Sequence, residues 1–352
     1  MKLEVRDLSK SFGENEVLHG ISFSVESGNA LGLLGRNGAG KTTTIRILMN
    51  VFKGNAGSVL LDGKPFDPAK HQIGYMPEER GLYPKKTVSE QLIYLGMLRG
   101  LSAKKAKENM KKWLAIMEVS EYENRKLETL SKGNQQKVQL AQTLITDPKI
   151  IILDEPTSFL DIRHKLELLT ILKDMVSQKN VAVIMSLHEL DLAQKISDQV
   201  ICVHGSAIER YGEPEDIFTS EYIKKLYGVT KGSYNADFGC LELEPPSGTP
   251  EVFVIAGNGS GIPVFRKLQR KGIPFAAGVL HENDVDCQVA KALAAEVVTE
   301  KAFCEISTEA YEKARKIMNS CKKVICCVQE YGPMNEKNRL LEKEARENGD
   351  CV

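Results

Sequence analysis

The sequence predicts an α/β protein built from two domains. Continuous apolar runs, such as residues 150–153, alternate with helical patterns, which is typical of a mostly parallel sheet covered on both faces. A glycine-rich turn at residues 35–42 follows one apolar run and precedes a helical pattern. Gly, Ser, Pro and acidic residues interrupt the alternation at residues 231–250, and the alternation restarts beyond them. We therefore expect a first domain at residues 1–230, a linker or loose hairpin at 231–250, and a second α/β domain at 251–352.

Length and composition set the broad class. The chain has 352 residues, of which 42% are hydrophobic, and this suits two globular domains. Lys plus Arg and Asp plus Glu number 47 each, so net charge gives no indication of a nucleic-acid partner. No apolar run approaches the ~18 residues of a transmembrane helix, and the start of the chain lacks a signal-peptide core. We therefore expect a cytoplasmic protein whose eight cysteines, none in a C-x-x-C pair, are mostly reduced and buried.

Residues 35–42 read G-R-N-G-A-G-K-T, which has the spacing of a phosphate-binding P-loop. Glycines let the backbone wrap an anion with its N–H groups turned inward, and the following helix points its positive dipole end at the phosphates. Lys41 is placed to reach the β- and γ-phosphates, and the Thr42 hydroxyl is placed to hold Mg²⁺. The residues that we expect to bind nucleotide in this stretch are Gly35, Asn37, Gly38, Ala39, Gly40, Lys41, Thr42 and Thr43.

Alternating apolar and polar residues at 2–29 predict antiparallel strands ahead of the P-loop. Phe12 lies beside Gly13 in the turn between the first two strands. Its ring could stack on an adenine face, or it could pack on the core as a strand-end aromatic residue, and the spacing favours neither.

Residues 57–63 and 73–76 predict two further strands, and residues 87–130 predict a small helical insertion. Thr87 and Glu90 form a capping box at the start of the first helix. Ser102 caps the second helix, which is predicted to carry Trp113 and Ile116 on its apolar side.

Reactive side chains follow two of the apolar runs. Asp154 ends the run at 150–153 and can hold Mg²⁺, and Glu155 beside it can deprotonate a water for attack on the γ-phosphate. His188 follows the run at 181–185 and could bond a γ-phosphate oxygen. Each alone is better explained as an acidic turn or a packed imidazole. Together with the P-loop, in this order, they indicate nucleotide hydrolysis.

Residues 1–230 resemble the ATP-binding subunit of an ABC transporter. Besides the P-loop, the resemblance rests on Phe12, on residues 130–135 as the signature loop, on residues 158–161 as the loop crossing the dimer interface, and on His188 as the switch histidine. The resemblance implies a P-loop NTPase fold of the ABC type, with antiparallel β and helical subdomains, followed here by a small Rossmann-like α/β domain.

The same resemblance assigns roles and partners. It implies that Phe12 stacks on adenine, that Ser131 and Gly133 contact the γ-phosphate of ATP held by a partner subunit, and that Asp161 lies at the dimer interface. It implies ATP and Mg²⁺ as cofactors, a second ATPase subunit (identical or homologous), and separate membrane-spanning subunits at the inner face of the cell membrane. It implies no nucleic-acid partner.

Three positions depart from the family pattern. Glu78 stands where the family usually has a glutamine, in the loop that senses nucleotide and meets the membrane subunit. A carboxylate can coordinate Mg²⁺, but it is charged and cannot donate a hydrogen bond. The signature loop carries Lys132 and Asn134 as substitutions, and Phe159 replaces the usual glycine of the interface loop. None of these changes removes a reactive group, so we expect activity to be retained.

Two resemblances concerning the transported substrate conflict. Residues 74–84 resemble ATPases of sodium- and drug-extruding systems, whereas residues 212–218 and 226–229 resemble ATPases of siderophore and cobalamin uptake, some of which carry a similar C-terminal extension. The alternative is a soluble ABC ATPase of DNA repair or translation. Repair members carry long coiled-coil insertions and translation members usually carry two ATPase domains, so a single ATPase domain with a short insertion favours transport.

The second domain repeats a strand–loop–helix pattern. A strand at 252–256 precedes the glycine-rich loop at 257–261 and a helix at 262–270, a placement that predicts a Rossmann-like domain with an anion site at the loop. Glu282, after the next strand, could meet a ribose. Ile262 replaces the third glycine of G-x-G-x-x-G, so a dinucleotide is not indicated, and a tight turn without ligand is the alternative. Cys326 and Cys327 are expected on opposite faces of a strand, where they cannot easily share one metal ion.

Overall fold

The computed structural model describes residues 1–79, 81–236 and 238–349. The chain divides into two compact units, Met1–Tyr227 and Gly228–Val352, so the division falls close to residue 230. In chain order the elements of the first unit are β1 (Lys2–Phe12), β2 (Asn15–Glu26), β3 (Ala30–Gly35), α1 (Lys41–Leu48), β4 (Ala56–Leu61), β5 (Lys64–Pro65), β6 (Ile73–Met76), α2 (Val88–Leu98), α3 (Ala103–Ile116), α4 (Lys132–Leu144), β7 (Ile150–Asp154), α5 (Ile162–Lys179), β8 (Ala182–Ser186), α6 (Leu190–Ile196), β9 (Gln199–His204), β10 (Ala207–Gly212), α7 (Pro214–Ile217) and α8 (Ser220–Tyr227).

The first four-stranded sheet is antiparallel, with the order β2-β1-β4-β5, as the alternating pattern predicts. Leu3 pairs with Val25 and Val5 pairs with Phe23, so that buried side chains share one face. This face packs on apolar residues of the second sheet, including Leu31 of β3, in one hydrophobic core. The antiparallel sheet therefore forms one wall behind the P-loop strand.

The second sheet has six strands in the order β10-β9-β3-β8-β7-β6. All neighbours are parallel except β10 and β9. Strands β3, β7 and β8 are buried along their whole length, which explains why they appear in the sequence as continuous apolar runs. Because these three strands are neighbours and run in the same direction, their carboxyl ends meet at one edge of the sheet.

Helices α2 and α3 form the predicted helical insertion. Thr87 and Glu90 make both hydrogen bonds of the capping box, and the Ser102 hydroxyl accepts from the Lys105 amide at the start of α3. Trp113 is buried, as predicted, but the prediction for Ile116 is wrong because its side chain is 43% exposed. The buried face of α3 centres on residues such as Met110 and Trp113, and Ile116 lies at its edge.

The second unit is a Rossmann-like α/β domain. Its four strands are all parallel, in the order β15-β14-β13-β16, and a two-stranded hairpin, β11 with β12, precedes them within residues 231–250. Helices α9 and α10 cover one face of the sheet, and α11 and α12 cover the other. The elements are β11 (Ser233–Asn235), β12 (Cys240–Glu242), β13 (Val252–Ile255), α9 (Ile262–Arg270), β14 (Phe275–His281), α10 (Val285–Leu293), β15 (Glu296–Glu300), α11 (Thr308–Ser320), β16 (Lys323–Cys326) and α12 (Glu336–Glu347).

Of the seven described cysteines, Cys202, Cys287 and Cys321 are buried, and the others are half-buried or exposed. Cys326 packs in the core beneath α11 and α12, whereas Cys327 packs in the core beneath α9 and α10, so the two lie on opposite faces as predicted. Within the described part of the chain, no helix is both long and apolar enough to cross a membrane.

Candidate active site at the P-loop edge

The P-loop joins β3 to α1 by a path that needs glycine. Gly35 has φ +146°, and a Cβ there would lie 2.4 Å from the Val203 carbonyl oxygen. Gly40 caps α1 with φ +96°, and its Cβ would lie 2.5 Å from Leu18 Cδ2. Any side chain at either position would be strained and would clash, so this path from β3 to α1 depends on glycine at both positions.

Lys41 is the first residue of α1, and its side chain turns back under the loop. Its Nζ donates hydrogen bonds of 2.8 Å to the Gly35 carbonyl and 3.2 Å to the Arg36 carbonyl. Burial lowers the pKa of Lys41, and the carboxylates of Glu155 and Asp154 oppose that shift. The ammonium group of Lys41 therefore lies within the electric field of the Asp154 and Glu155 carboxylates.

Asp154, at the end of β7, is fully buried and lies between two hydroxyls. Its Oδ1 accepts a 2.6 Å hydrogen bond from Ser186 and a 3.3 Å bond from Thr42. Its Oδ2 is buried with no hydrogen-bond partner among the described residues. Burial raises the pKa of Asp154, and the bond from Ser186 opposes that shift. A buried carboxylate oxygen left unpaired beside a threonine hydroxyl fits a hard cation such as Mg²⁺.

Glu155 directly follows β7 with φ +51°. Its carboxylate contacts the imidazole of His188 and accepts a 3.3 Å hydrogen bond from the Ser158 hydroxyl. Its backbone amide donates a 2.9 Å hydrogen bond to Ser186 Oγ. The structure therefore brings Glu155 and His188 into one hydrogen-bonded group beside Asp154.

Glu78 follows β6 and is exposed. Its carboxylate is partly desolvated, which raises its pKa, and the carboxylates of Glu155 and Asp154 raise the pKa further. The carbonyl of Pro77, which precedes it, accepts a 3.0 Å hydrogen bond from the Gln139 side chain of α4. Glu78 therefore belongs to the same electrostatic site, on a loop that α4 holds in place.

The signature and interface loops lie close to each other. Ser131 caps α4 by accepting a hydrogen bond from the Asn134 amide, and Asp161 caps α5 by accepting one from the His164 amide. A Cβ on Gly133 would lie 3.6 Å from the Phe159 carbonyl oxygen. Among the described residues, no hydrogen bond joins Ser131, Gly133 or Asp161 to residues 35–42.

Phe12 ends β1 and is 50% exposed, so it is not a core residue. Its ring meets the Phe52 ring edge-on, with the centroids 5.4 Å apart, and Lys10 Nζ lies 5.0 Å from its centroid. Phe12 is therefore half open to solvent at the end of β1.

Ser186 was not predicted as a site residue from the sequence. This residue ends β8, is fully buried, and connects the Asp154 side chain to the Glu155 backbone. The available signal was a hydroxyl at the carboxyl end of an apolar run, two residues before His188. That signal is weak in a sequence because it depends on β8 and β7 being neighbours in the sheet.

The glycine-rich loop of the second unit does not form the predicted anion site. Its Asn258 amide donates a 2.8 Å hydrogen bond to Asp284, and the amides of Gly261 and Ile262 donate to the buried Asp286 at 3.0–3.1 Å. Two carboxylates of the chain thus occupy the place of an anion. Glu282, the predicted ribose contact, is exposed and does not line the cavity beside the loop.

Two parts of the chain match known protein families. Residues 18–158 match the ABC transporter family, and residues 275–352 match the MJ0874 family. The uncharacterized ABC transporter ATP-binding protein MJ1023 of Methanocaldococcus jannaschii is 40% identical over 219 residues, which cover 61% of this chain and 79% of that protein. The uncharacterized ABC transporter ATP-binding protein MJ0873 of the same organism is 30% identical over 290 residues, which cover 79% of this chain and 99% of that protein.

A solved structure is also similar to this chain. A structure described as the ATP-binding subunit of an ABC transporter is 27% identical, with a TM-score of 0.57, and the match covers 66% of this chain and 96% of that one. The chain therefore belongs to the family of ABC transporter ATP-binding proteins.

Proposed function

We propose that this chain is the ATP-hydrolysing subunit of a transporter, with residues 1–230 as the motor domain. One observation carries the proposal: the P-loop, Asp154, Glu155 and His188 converge at the carboxyl ends of three neighbouring parallel strands. A P-loop alone indicates only nucleotide binding. A buried metal-binding carboxylate, a second carboxylate and an imidazole beside it supply the groups that hydrolysis needs.

Each residue has a defined task in this proposal. Lys41 exchanges its bonds to the Gly35 and Arg36 carbonyls for the β- and γ-phosphates. Thr42 and Asp154 hold Mg²⁺, which supplies positive charge to the phosphate oxygens. Glu155 takes a proton from the attacking water as the water oxygen bonds to the γ-phosphorus and the bond to the β-phosphate oxygen breaks.

In this proposal His188 orients Glu155, because the imidazole and the carboxylate are in direct contact. When nucleotide is bound, the imidazole turns to a γ-phosphate oxygen and leaves the carboxylate to the attacking water. In this proposal His188 reports the presence of the γ-phosphate to the general base.

The site is completed by a second ATPase subunit. Gly133 lies beside Phe159, and no hydrogen bond among the described residues joins Ser131 or Gly133 to residues 35–42. A hydroxyl and free amides at the start of the 13-residue helix α4 suit an anion from another molecule. A head-to-tail pair, formed with a second copy or a homologous subunit, places them against the γ-phosphate and Asp161 at the interface.

Separate membrane-spanning subunits receive the motion in this proposal, with the chain bound at the inner face of the membrane. Glu78 lies close enough to Asp154 and Glu155 to sense nucleotide. Tyr83, a few residues further along the same loop, is 53% exposed and offers an apolar surface to a partner helix. The helical insertion at 87–130 follows this loop directly.

Glu155→Gln tests the proposal. The amide cannot accept the proton of water, so ATP turnover should fall by about two to four powers of ten while ATP binding persists. The stalled complex should accumulate as a dimer in light scattering with ATP. Glu79→Gln, at an exposed carboxylate near the site, is the matched control and should hydrolyse ATP normally.

Turnover near the wild-type rate in Glu155→Gln would remove Glu155 from the mechanism. Purification from membranes separates the transporter from the alternative of a soluble ABC ATPase. Membrane proteins that co-purify support transport, whereas ribosomes or DNA in the eluate oppose it.

A further inference from the structure

A cavity of about 980 Å³ lies at the carboxyl edge of the parallel sheet of the second unit. The loops that follow β13, β14 and β16 line it, together with Phe303 after β15 and residues at the start of α12. In the strand order β15-β14-β13-β16, the first three strands are added toward one side of the sheet and β16 is added on the other side of β13. The order of strand addition therefore reverses between β13 and β16. Open parallel sheets bind ligands in the crevice at such a switch point.

Phosphate is excluded from the usual place in this crevice. Asp284 and Asp286 already accept hydrogen bonds from the amides of Asn258, Gly261 and Ile262. Asp286 is fully buried, and burial raises its pKa while the amide of Gly261 lowers it. A ligand phosphate at the loop would have to displace these carboxylates from their donors.

The glycines of the loop at 257–261 are explained by the backbone turn and by packing within the domain. A Cβ on Gly261 would lie 2.5 Å from the Phe265 ring and 2.6 Å from Ala256 Cβ, and Gly259 has φ +80°. The glycines therefore serve the turn and the packing of α9, and they do not indicate close approach of a pyrophosphate.

The charge of the cavity lining also disfavours a phosphate ligand. Its lining includes the carboxylates of Asp284 and Glu330 and the imidazole of His281, and among the described residues no Lys or Arg lines it. His281 is already hydrogen-bonded through Nε2 to the Cys304 carbonyl. A cavity with this lining disfavours anions and accepts neutral or cationic molecules.

Several lining groups are available to a ligand. The carboxamides of Asn258, Asn283 and Gln329 are exposed and form no side-chain hydrogen bond with another described residue. Each carboxamide offers a donor and an acceptor, which match the edge of a nucleobase. Phe303 is 80% exposed at the wall of the cavity and presents a ring for stacking.

We propose that this cavity binds a nucleoside that carries no phosphate. The base stacks on Phe303 and pairs with the carboxamides, and Glu330 accepts hydrogen bonds from the ribose hydroxyls. The proposal concerns the second unit alone and does not depend on ATP hydrolysis by the first.

Calorimetry on the full-length chain tests it, with adenosine, guanosine, cytidine and uridine and their 5′-monophosphates as probes. We expect at least one nucleoside to bind and its monophosphate to bind at least about tenfold more weakly, because the phosphate meets carboxylates and no cation. Phe303→Ala and Glu330→Ala should each weaken nucleoside binding about tenfold. Glu282→Ala, which removes an exposed carboxylate outside the cavity, should leave it unchanged.

Three outcomes would overturn the proposal. None of the four nucleosides binds, or a monophosphate binds as tightly as its nucleoside, or Phe303→Ala and Glu330→Ala leave binding unchanged and so place the nucleoside elsewhere, as at the P-loop. Both side chains are exposed, so the variants should fold, and thermal unfolding of each verifies this.

Discussion

Ser186 Oγ lies 2.6 Å from Asp154 Oδ1 and donates a hydrogen bond to it. The same oxygen accepts a 2.9 Å hydrogen bond from the Glu155 amide. One buried hydroxyl therefore fixes the Asp154 carboxylate, the proposed Mg²⁺ ligand, and the backbone of the proposed general base relative to each other. Since Glu155 has φ +51°, its backbone conformation is uncommon and depends on such contacts.

Ser186→Ala should lower kcat about 10- to 100-fold with little change in KM for ATP, because the hydrogen bond to the Asp154 carboxylate and the hydrogen bond from the partly buried Glu155 amide are both lost. Ser186→Thr retains the hydroxyl and should recover part of kcat. Steady-state ATPase assays at several ATP concentrations measure both constants. Ser177→Ala removes an exposed hydroxyl of α5 and should change neither. A kcat within twofold of wild type in Ser186→Ala would show that Ser186 does not position the site.

Asp154 and His188 were predicted as candidate site residues, because each is a reactive residue at or just after the carboxyl end of a recognisable strand. Ser186 was not, because serine at a strand end is common and its role arises from the pairing of β7 with β8. Ile116 was misplaced for a related reason, since the helical period alone does not give the width of the buried face.

Glu78→Ala should leave ATP affinity within about threefold of wild type, because the proposed ligands of Mg²⁺ are Thr42 and Asp154, which are hydrogen-bonded to each other. In the assembled transporter, the variant should hydrolyse ATP with less substrate moved per ATP. Calorimetry gives the affinity, and transport into vesicles gives the ratio. The neighbouring Glu79→Ala is the control. Loss of ATP binding in Glu78→Ala would place Glu78 among the metal-binding residues instead of the sensing loop.

Glu300 gives the second unit a pH-dependent contribution to stability. Hydrogen bonds from the Ser307 side chain and amide and from the Lys301 amide lower the pKa of Glu300 to about 2, from 4.5. A carboxylate whose pKa is lower in the folded state stabilises the fold above the unfolded pKa. This contribution should be complete above about pH 4.5 and should disappear as the pH falls toward 2.

Glu300→Gln should therefore be less stable than wild type at neutral pH, and the difference should shrink as the pH falls through that window. Urea unfolding followed by circular dichroism measures it. Trp113 is the only tryptophan and lies in the first unit, so its fluorescence transition serves as an internal control that should not differ between the proteins. A difference that is constant with pH would mean that the carboxylate charge contributes nothing.

In the second unit, the sequence predicts the strand, the glycine loop and the helix, but it does not predict which groups the loop amides bind. The strand, glycine loop and helix were predicted at the correct places, and α9 has the predicted bounds. The acceptors of the loop amides are Asp284 and Asp286, which follow the next strand along the chain, β14. Their side-chain directions depend on how α10 packs beside α9, and no local spacing reports that. Strand β15 was missed because Glu296–Glu300 is short and half-buried, with charged residues at both ends.

Gly261→Ala distinguishes a packing glycine from a ligand-contacting one. Gly261 has φ −79°, so alanine is conformationally acceptable there, and only space opposes it. The added methyl group would meet Ala256 Cβ and the Phe265 ring, which is fully buried and stacked on Phe275 with centroids 5.3 Å apart. Overpacking of this kind costs about 1–3 kcal/mol.

Gly332→Ala is the matched control, because Gly332 has φ −133° and a Cβ there meets nothing within 4 Å. It should change stability by no more than about 0.5 kcal/mol. Hydrogen exchange of peptides covering β13 and β14 reports the second unit separately from the first, and faster exchange there is expected in Gly261→Ala alone. Unchanged exchange in Gly261→Ala would mean that α9 shifts at no cost, and the glycine would then need a ligand-based explanation.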